Sequence, residues 1–231
     1  SFIKMALKTK KNVITTNKGP LAIAFPVLME LARYNNVLLK FSGTVGGGTP
    51  ILDLGKKCLL GDRIISIKGI LNGTTNYILT RMTESQTPFE EALKEAQKAG
   101  YAEADPSYDV KGIDSACKLV IMSNWLMNKH VTIKDVNIKG ISGIKPDDIE
   151  NAKKKECVIK LIVSANDEKL SVEPMLIPRD NPLCVGGSFN AVTFNTECSG
   201  EITIIGRGAG GVETAGAVLK DLIDIRRELS L

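Results

Sequence analysis

The stretch GYAEADPSYDVKGIDSACK, residues 100–118, decides how the rest of the chain is read. Gly100 closes a segment punctuated as a helix, with Thr87 as N-cap, Pro88 as first helical residue and Glu90 completing a capping box. A glycine at that point accepts the left-handed conformation that commonly ends helices. A polar loop follows from Tyr101 to Asp109, carrying Glu103, Asp105 and Asp109. From about Gly112 to Met127 the spacing of Ile113, Ala116, Cys117, Val120 and Ile121 predicts a long helix with an apolar side. Asp114 and Lys118, four apart, share a face of it. Acids converging near a lysine could hold a substrate ammonium and position a hydroxyl, the lysine moving a proton if its pKa were lowered. The plain alternative is a surface ion pair worth about 0.2–0.5 kcal/mol. The residues alone leave both open.

Toward the N-terminus the signals alternate. Phe2 to Leu7 reads as the end of a helix, Asn12 to Thr16 as a short strand, Gly19-Pro20 as a break, Leu21 to Tyr34 as an amphipathic helix and Val37 to Val45 as a strand. Arg63 to Leu71 is a further strand, turned by Asn72-Gly73-Thr74 into a helix over Thr75 to Thr83. Toward the C-terminus strands dominate: Val131 to Ile138, Val158 to Ala165, Leu170 to Ile177, Ala191 to Thr196 and Ile202 to Ile205. A short helix after Pro146 interrupts them, and a helix from Val212 to Glu228 ends the chain. This order predicts an α/β (α+β) fold, a mixed sheet with helices on one face.

Composition removes several classes. The net charge of +4 is mild, and Lys4, Lys8, Lys10 and Lys11 lack the interleaved aromatics of a nucleic-acid surface. No apolar run reaches membrane-spanning length and no signal peptide opens the chain. The five cysteines never form a CxxC pair, which argues against a zinc site or a disulfide framework and for a cytoplasmic setting. The single histidine, His130, reads as a surface residue between two elements, so acid–base chemistry falls to lysine, carboxylate, tyrosine or cysteine. Cys117 and Trp125 read as core residues, and Asn72-Gly73-Thr74 is a glycosylation acceptor in form only.

Three further places could meet a ligand. Lys18 follows the first strand, where open α/β sheets gather ligands, or is a solvated turn lysine. Gly43 to Pro50 lacks the Gly-Lys-Ser/Thr ending of a phosphate loop and reads as a glycine hinge whose carbonyls are free for a monovalent cation, or as a tight turn. Gly206 to Gly211 matches GxGxxG in form. No strand and acid follow to complete a βαβ unit before Leu231, so it is not read as a primary dinucleotide fingerprint. Its amides could still face a cofactor at the start of the last helix, or simply pack closely.

Taken in order, Asn17-Lys18-Gly19-Pro20-Leu21-Ala22, Gly69-Ile70-Leu71-Asn72-Gly73-Thr74-Thr75-Asn76-Tyr77, the quoted stretch 100–118 and the closing Gly206-x-Gly208-Ala209-Gly210 resemble the homoserine dehydrogenase family from about Asn12 onward. The resemblance implies interconversion of L-homoserine and L-aspartate 4-semialdehyde with NADP or NAD. Lys118 would be the proton donor or acceptor, Asp114 would take the hydroxyl side and Glu103 the amino group, with Asp109 and Tyr101 beside them. Lys18 would touch substrate and cofactor, Gly100 and Gly210 would line the cofactor, and Val45, Gly47 and Thr49 match backbone positions that hold sodium. Ser42 stands where many members carry a glutamate.

The resemblance also implies a homodimer and a division into 1–45, a remnant of a Rossmann-like nucleotide-binding domain, 46–205, the catalytic and dimerisation domain, and 206–231, a helix returning to the first. The family opens with a glycine-rich fingerprint that is not found here, so roughly 100 residues are expected upstream of Ser1. A non-catalytic dimerisation or scaffold fragment and a related amino-acid dehydrogenase are the competing readings.

Overall fold

Long strands rich in Ile, Val and Thr set the frame of the computed structural model, which describes residues 2–230. Ser1 and Leu231, the outer ends of the first and last expected segments, lie outside the described residues. The strands are β3 (Ile64–Ile70), β4 (Asn137–Ile138), β5 (Cys157–Ala165), β6 (Leu170–Pro178), β7 (Phe189–Thr196) and β8 (Gly200–Arg207). They form one sheet in the order β4-β6-β5-β3-β7-β8. Every pairing is antiparallel except β4 with β6, which makes the sheet mixed, as expected. Side chains alternate across a strand. Ile159, Leu161, Val163 and Ala165 of β5 enter the larger apolar cluster with α5 (Phe89–Lys98), α7 (Ile113–Leu126) and α8 (Pro146–Lys154). Val158 and Ile162 join Ile70, Ile177 and Ala191 in a smaller cluster with Leu183.

The N-terminal part is a smaller layer: α1 (Phe2–Lys8), β1 (Val13–Ile14), α2 (Lys18–Tyr34) and β2 (Leu39–Lys40), with β1 and β2 parallel. The expected strand Val37 to Val45 shrinks to two residues, because after Phe41 the chain turns through Ser42–Thr44 and the Ser42 amide goes to Asp221 Oδ2 at 2.8 Å instead of a ladder. Gly19-Pro20 is not a break. α2 already begins at Lys18, capped by Asn17 Oδ1, which accepts the Gly19 N–H. Proline fits there because the first-turn N–H it lacks has no helical acceptor. The disturbance comes later, at Ala24 (φ −140°, ψ 33°), just ahead of Pro26.

Two other expectations change. Val131 to Ile138 is not a strand: Asn124 clasps both the amide and the carbonyl of Val131, and Thr132 with Asp135 caps a turn over Ile133–Asp135, leaving only Asn137–Ile138 to pair. Thr87 does not cap α5. Pro88 occupies the cap position and Thr87 Oγ1 is buried without a hydrogen-bond partner among the described residues. α3 (Ile51–Asp53) runs on into a π turn over Leu54–Cys58, α4 is Gly73–Ser85, α6 is Ser107–Val110 inside the expected polar loop, and α9 is Gly211–Leu229. α9 lies back on the N-terminal layer through Asp221, Lys220 with Ser42, and Lys40 with Glu228. Among the described residues, no helix is long and apolar enough to cross a membrane.

Candidate active site

Helical spacing puts Asp114 and Lys118 one turn apart on α7, and packing of α7 against α2 and the sheet buries both, at 6% and 7% exposure. Lys118 Nζ lies 2.8 Å from Asp114 Oδ2 and donates to the carbonyl of Leu71 at 2.6 Å. Lys18, at the start of α2, brings its ammonium to 3.3 Å from Asp114 Oδ1. One carboxylate therefore stands between two lysines from two helices, which a surface pair would not require. The Lys18 side chain is 30% exposed, so the cluster meets solvent on that side.

Asn72 completes the arrangement. Two residues beyond β3 it caps α4, its Oδ1 accepting the Thr75 N–H at 2.8 Å. Its Nδ2 donates to Asp109 Oδ1 at 2.7 Å and to Asp114 Oδ2 at 3.0 Å, so one amide spans two carboxylates. Asn72 is not among the site residues expected from the sequence. The available signal was an N-cap residue at the carboxyl end of a strand. Its partners, far along the chain, carry no local signature.

The two acids are pushed apart electrostatically. Burial raises Asp114, but the charges of Lys118 and Lys18 and hydrogen bonds from Asn72 and Lys118 outweigh it and hold the carboxyl below its usual range. Burial raises Asp109 above its ordinary value and the Asp114 charge adds to this, against the hydrogen bond from Asn72. Asp114 stays ionised, while Asp109 takes a proton more readily. Tyr108, on α6, shares a hydrogen bond of 3.1 Å with Cys117, and burial raises both groups, keeping phenol and thiol neutral.

The other expected residues spread around this centre. Tyr101 is exposed, its ring 4.6 Å from that of Tyr77, and its carbonyl accepts from Thr74 Oγ1 at 2.6 Å. Glu103 is exposed; its main-chain carbonyl accepts from Gln97 Nε2 at 3.1 Å, and among the described residues its carboxylate is not drawn into the cluster. Gly100 is left-handed (φ +76°), with open space where a side chain would stand.

Val45, Gly47 and Thr49 share a buried glycine turn in which Thr49 N–H donates to the Gly46 carbonyl and Thr49 Oγ1 to that of Arg207. Thr49 O already accepts from Ile51 N–H. This turn touches the closing glycine loop: a Cβ on Gly47 would stand 2.9 Å from the Gly208 carbonyl carbon. Gly210 precedes α9, whose first amides favour an anionic group. Behind Gly208 the Asn190 amide is buried, with neither polar atom hydrogen-bonded among the described residues. Bare backbone at the two glycine loops and the orphaned Asn190 amide behind them fit a large polar cofactor at the start of α9. Among the described residues, no group of three or more His, Cys, Asp or Glu side chains could hold a metal.

A cleft of about 650 Å³, lined by Lys40, Phe41, Asp53, Lys57, Trp125 and Lys220 among others, lies away from the Asp114 cluster. Trp125 is half-buried on its wall, edge-on to Phe41, with Lys56 over its ring.

Comparison with known proteins fits this centre. The Homoserine dehydrogenase family model matches residues 50–223. The homoserine dehydrogenase of Methanocaldococcus jannaschii is 50% identical, over 97% of this chain and 67% of its own length. The NAD(+)-dependent homoserine dehydrogenase of Pseudomonas canavaninivorans is 45% identical, over 98% of this chain and 66% of its own. A crystal structure of a putative homoserine dehydrogenase from Archaeoglobus fulgidus superposes with a TM-score of 0.94 at 50% identity, covering 97% of this chain and 70% of that one. The chain thus spans about two thirds of the length of these relatives. A family model covering most of the chain, and half-identity along nearly all of it, show that the chain belongs to the homoserine dehydrogenase family.

Proposed function

We propose that the protein is an oxidoreductase interconverting L-homoserine and L-aspartate 4-semialdehyde with NAD or NADP, the branch-point step toward threonine, methionine and isoleucine. The observation that carries this is the buried Lys118–Asp114–Lys18 arrangement braced by Asn72. A dimerisation scaffold has no use for two lysines held on one buried carboxylate.

Lys118 takes the hydroxyl proton of homoserine or returns it to the aldehyde oxygen. Positioned acid–base groups of this kind contribute roughly 10²–10⁴ in rate. Asp114 orients the hydroxyl end, and its ionised state fits that task. Asp109, Glu103 and the Tyr101 region receive the ammonium, Glu103 turning inward from its exposed position. Lys18, at the exposed edge, touches substrate and cofactor. Gly100 and Gly210 line the cofactor, whose nicotinamide supplies the hydride acceptor when bound. The carbonyls of Val45, Gly47 and Thr49 would hold a sodium ion. The protein works in the cytoplasm as a homodimer through the sheet domain, with 1–45 and 206–231 on the nucleotide side and 46–205 carrying the substrate.

The test is oxidation of homoserine against other hydroxy amino acids by the full-length protein, with NAD and NADP each supplied. Homoserine should be preferred, and Lys118→Ala should lower turnover about 10³-fold while homoserine binding stays measurable by calorimetry. Near-normal turnover in that variant refutes the assignment.

A further inference from the structure

Lys160 is the other buried lysine, and the chemistry above does not use it. It sits in the middle of β5 at 3% exposure. Its Nζ donates to two neutral acceptors on α4, Asn76 Oδ1 at 2.7 Å and Thr80 Oγ1 at 2.9 Å, and no ion pair is formed with it among the described residues. The Asn76 amide then donates to the carbonyls of Phe189 at 2.9 Å and Val185 at 3.2 Å. Ser188, between them, packs on the first residue of α4, where a Cβ on Gly73 would stand 2.9 Å from its carbonyl oxygen. One helical turn before Asn76 is Asn72, whose amide holds Asp109 and Asp114. Two faces of α4 are therefore fixed in different ways. Ile78, Leu79 and Met82 enter the apolar core, and Asn76 with Thr80 is pinned to the sheet by a cation.

We propose that Lys160 is a positioning residue, which through Asn76 and the rigid start of α4 sets the place of Asn72 against Asp109 and Asp114. A buried donor with three hydrogens suits this, since it can grip two acceptors at once from a strand that cannot slide. A methionine would pack in the same space without the grip. Burial pulls the ammonium down to about 8, so the site tolerates a cost that an apolar residue would avoid. That cost is consistent with a task beyond packing.

The inference rests on the proposed reaction, and one set of measurements on the full-length protein separates the two. If the wild type does not oxidise homoserine, the reaction itself is wrong. If it does, Lys160→Met should lower kcat/KM about tenfold while its melting temperature stays at or above that of the wild type. Asn72→Ala should lower kcat/KM further, and the double variant should be no worse than Asn72→Ala alone. The isosteric Thr80→Val removes one acceptor and serves if Lys160→Met does not fold. It should give a loss of about threefold, again absent in the Asn72→Ala background. Wild-type kcat/KM in the Lys160 or Thr80 variant, or losses that simply multiply with that of Asn72→Ala, would overturn the proposal.

Discussion

Along α9, Lys220 lies against Asp53, Asp221 and Asp224, Lys57 joins Asp53 and Asp224, and Lys40 meets Glu228. Around α7, two lysines share the single carboxylate of Asp114. The first network has more ion pairs and borders the 650 Å³ cleft, yet water reaches its cations, with the Lys57 side chain 52% exposed and that of Lys220 35%. The second has fewer pairs, but the Lys118 and Asp114 side chains are 9% and 8% exposed. The number of ion pairs and a neighbouring cleft thus point to α9, whereas burial and unequal proton affinities point to α7. Exposed pairs are screened and chiefly join the two ends of the chain. Buried ones keep their field for a bound molecule.

Substitutions sharpen this contrast. Asp114→Asn leaves the buried Lys118 facing a neutral amide, and the loss of stability in urea unfolding should be about 3–5 kcal/mol, with turnover abolished. A loss below about 1 kcal/mol would put the α7 pair on the same footing as the α9 ladder.

Lys160 gives the next effect, through pH. Its folded pKa of about 8 lies below the 10.5 of an ordinary lysine, with burial lowering it and the Cys184 and Glu84 charges partly opposing. The unfolded chain therefore binds more protons between those values. Stability from this group rises as pH climbs from 8 to 10.5, by about 3 kcal/mol. The neutral amine still donates to both its acceptors. Across that window the wild type should gain this stability relative to Lys160→Met, closing the gap between their unfolding curves, and parallel curves would refute the shift. Asp114 behaves oppositely. Its folded value is depressed, so its contribution is complete above the ordinary carboxylate value of 3.8 and is lost as pH falls through the folded value.

The smallest effect belongs to Lys57→Met: about 0.2–1 kcal/mol, fading in 1 M salt, with kcat/KM unchanged. A salt-resistant loss, or any fall in turnover, would break the division between the two networks.

How much of this was legible follows from the range of the interactions. The register of α7 was readable, because a period of 3.6 alone places Asp114 and Lys118 together. The strands Cys157–Ala165 and Leu170–Pro178 were also readable, from their runs of β-formers. The cap of α5 and the strands expected at Val37 and Val131 were misjudged, because distant side chains such as Asp221, or local clasps such as that of Asn124, captured the backbone groups a ladder needs. Within the site, acids and lysines announced themselves by type and spacing. Asn72 and Lys160 did not: each acts across an interval of tens of residues, through contacts that exist only once the sheet and α4 have met.

The meeting of the two glycine loops carries a consequence for inheritance. Gly47 abuts the backbone of Gly208 and Ala209, Gly208 lies directly on the Asn190 amide, and Gly206 faces Thr49 so closely that a Cβ would stand 2.2 Å from its hydroxyl. Along this seam Gly47 meets main chain, while Gly206 and Gly208 meet the side chains of Thr49 and Asn190, so a methyl group at any of the three needs its neighbour to retreat. Random mutagenesis should find Gly47, Gly206 and Gly208 poorly tolerant, with changes at Gly206 or Gly208 recovered chiefly beside a smaller residue at Thr49 or Asn190. The seam ties the drift of the tail to that of a loop near the start of the chain, and the two must vary together or stay as they are.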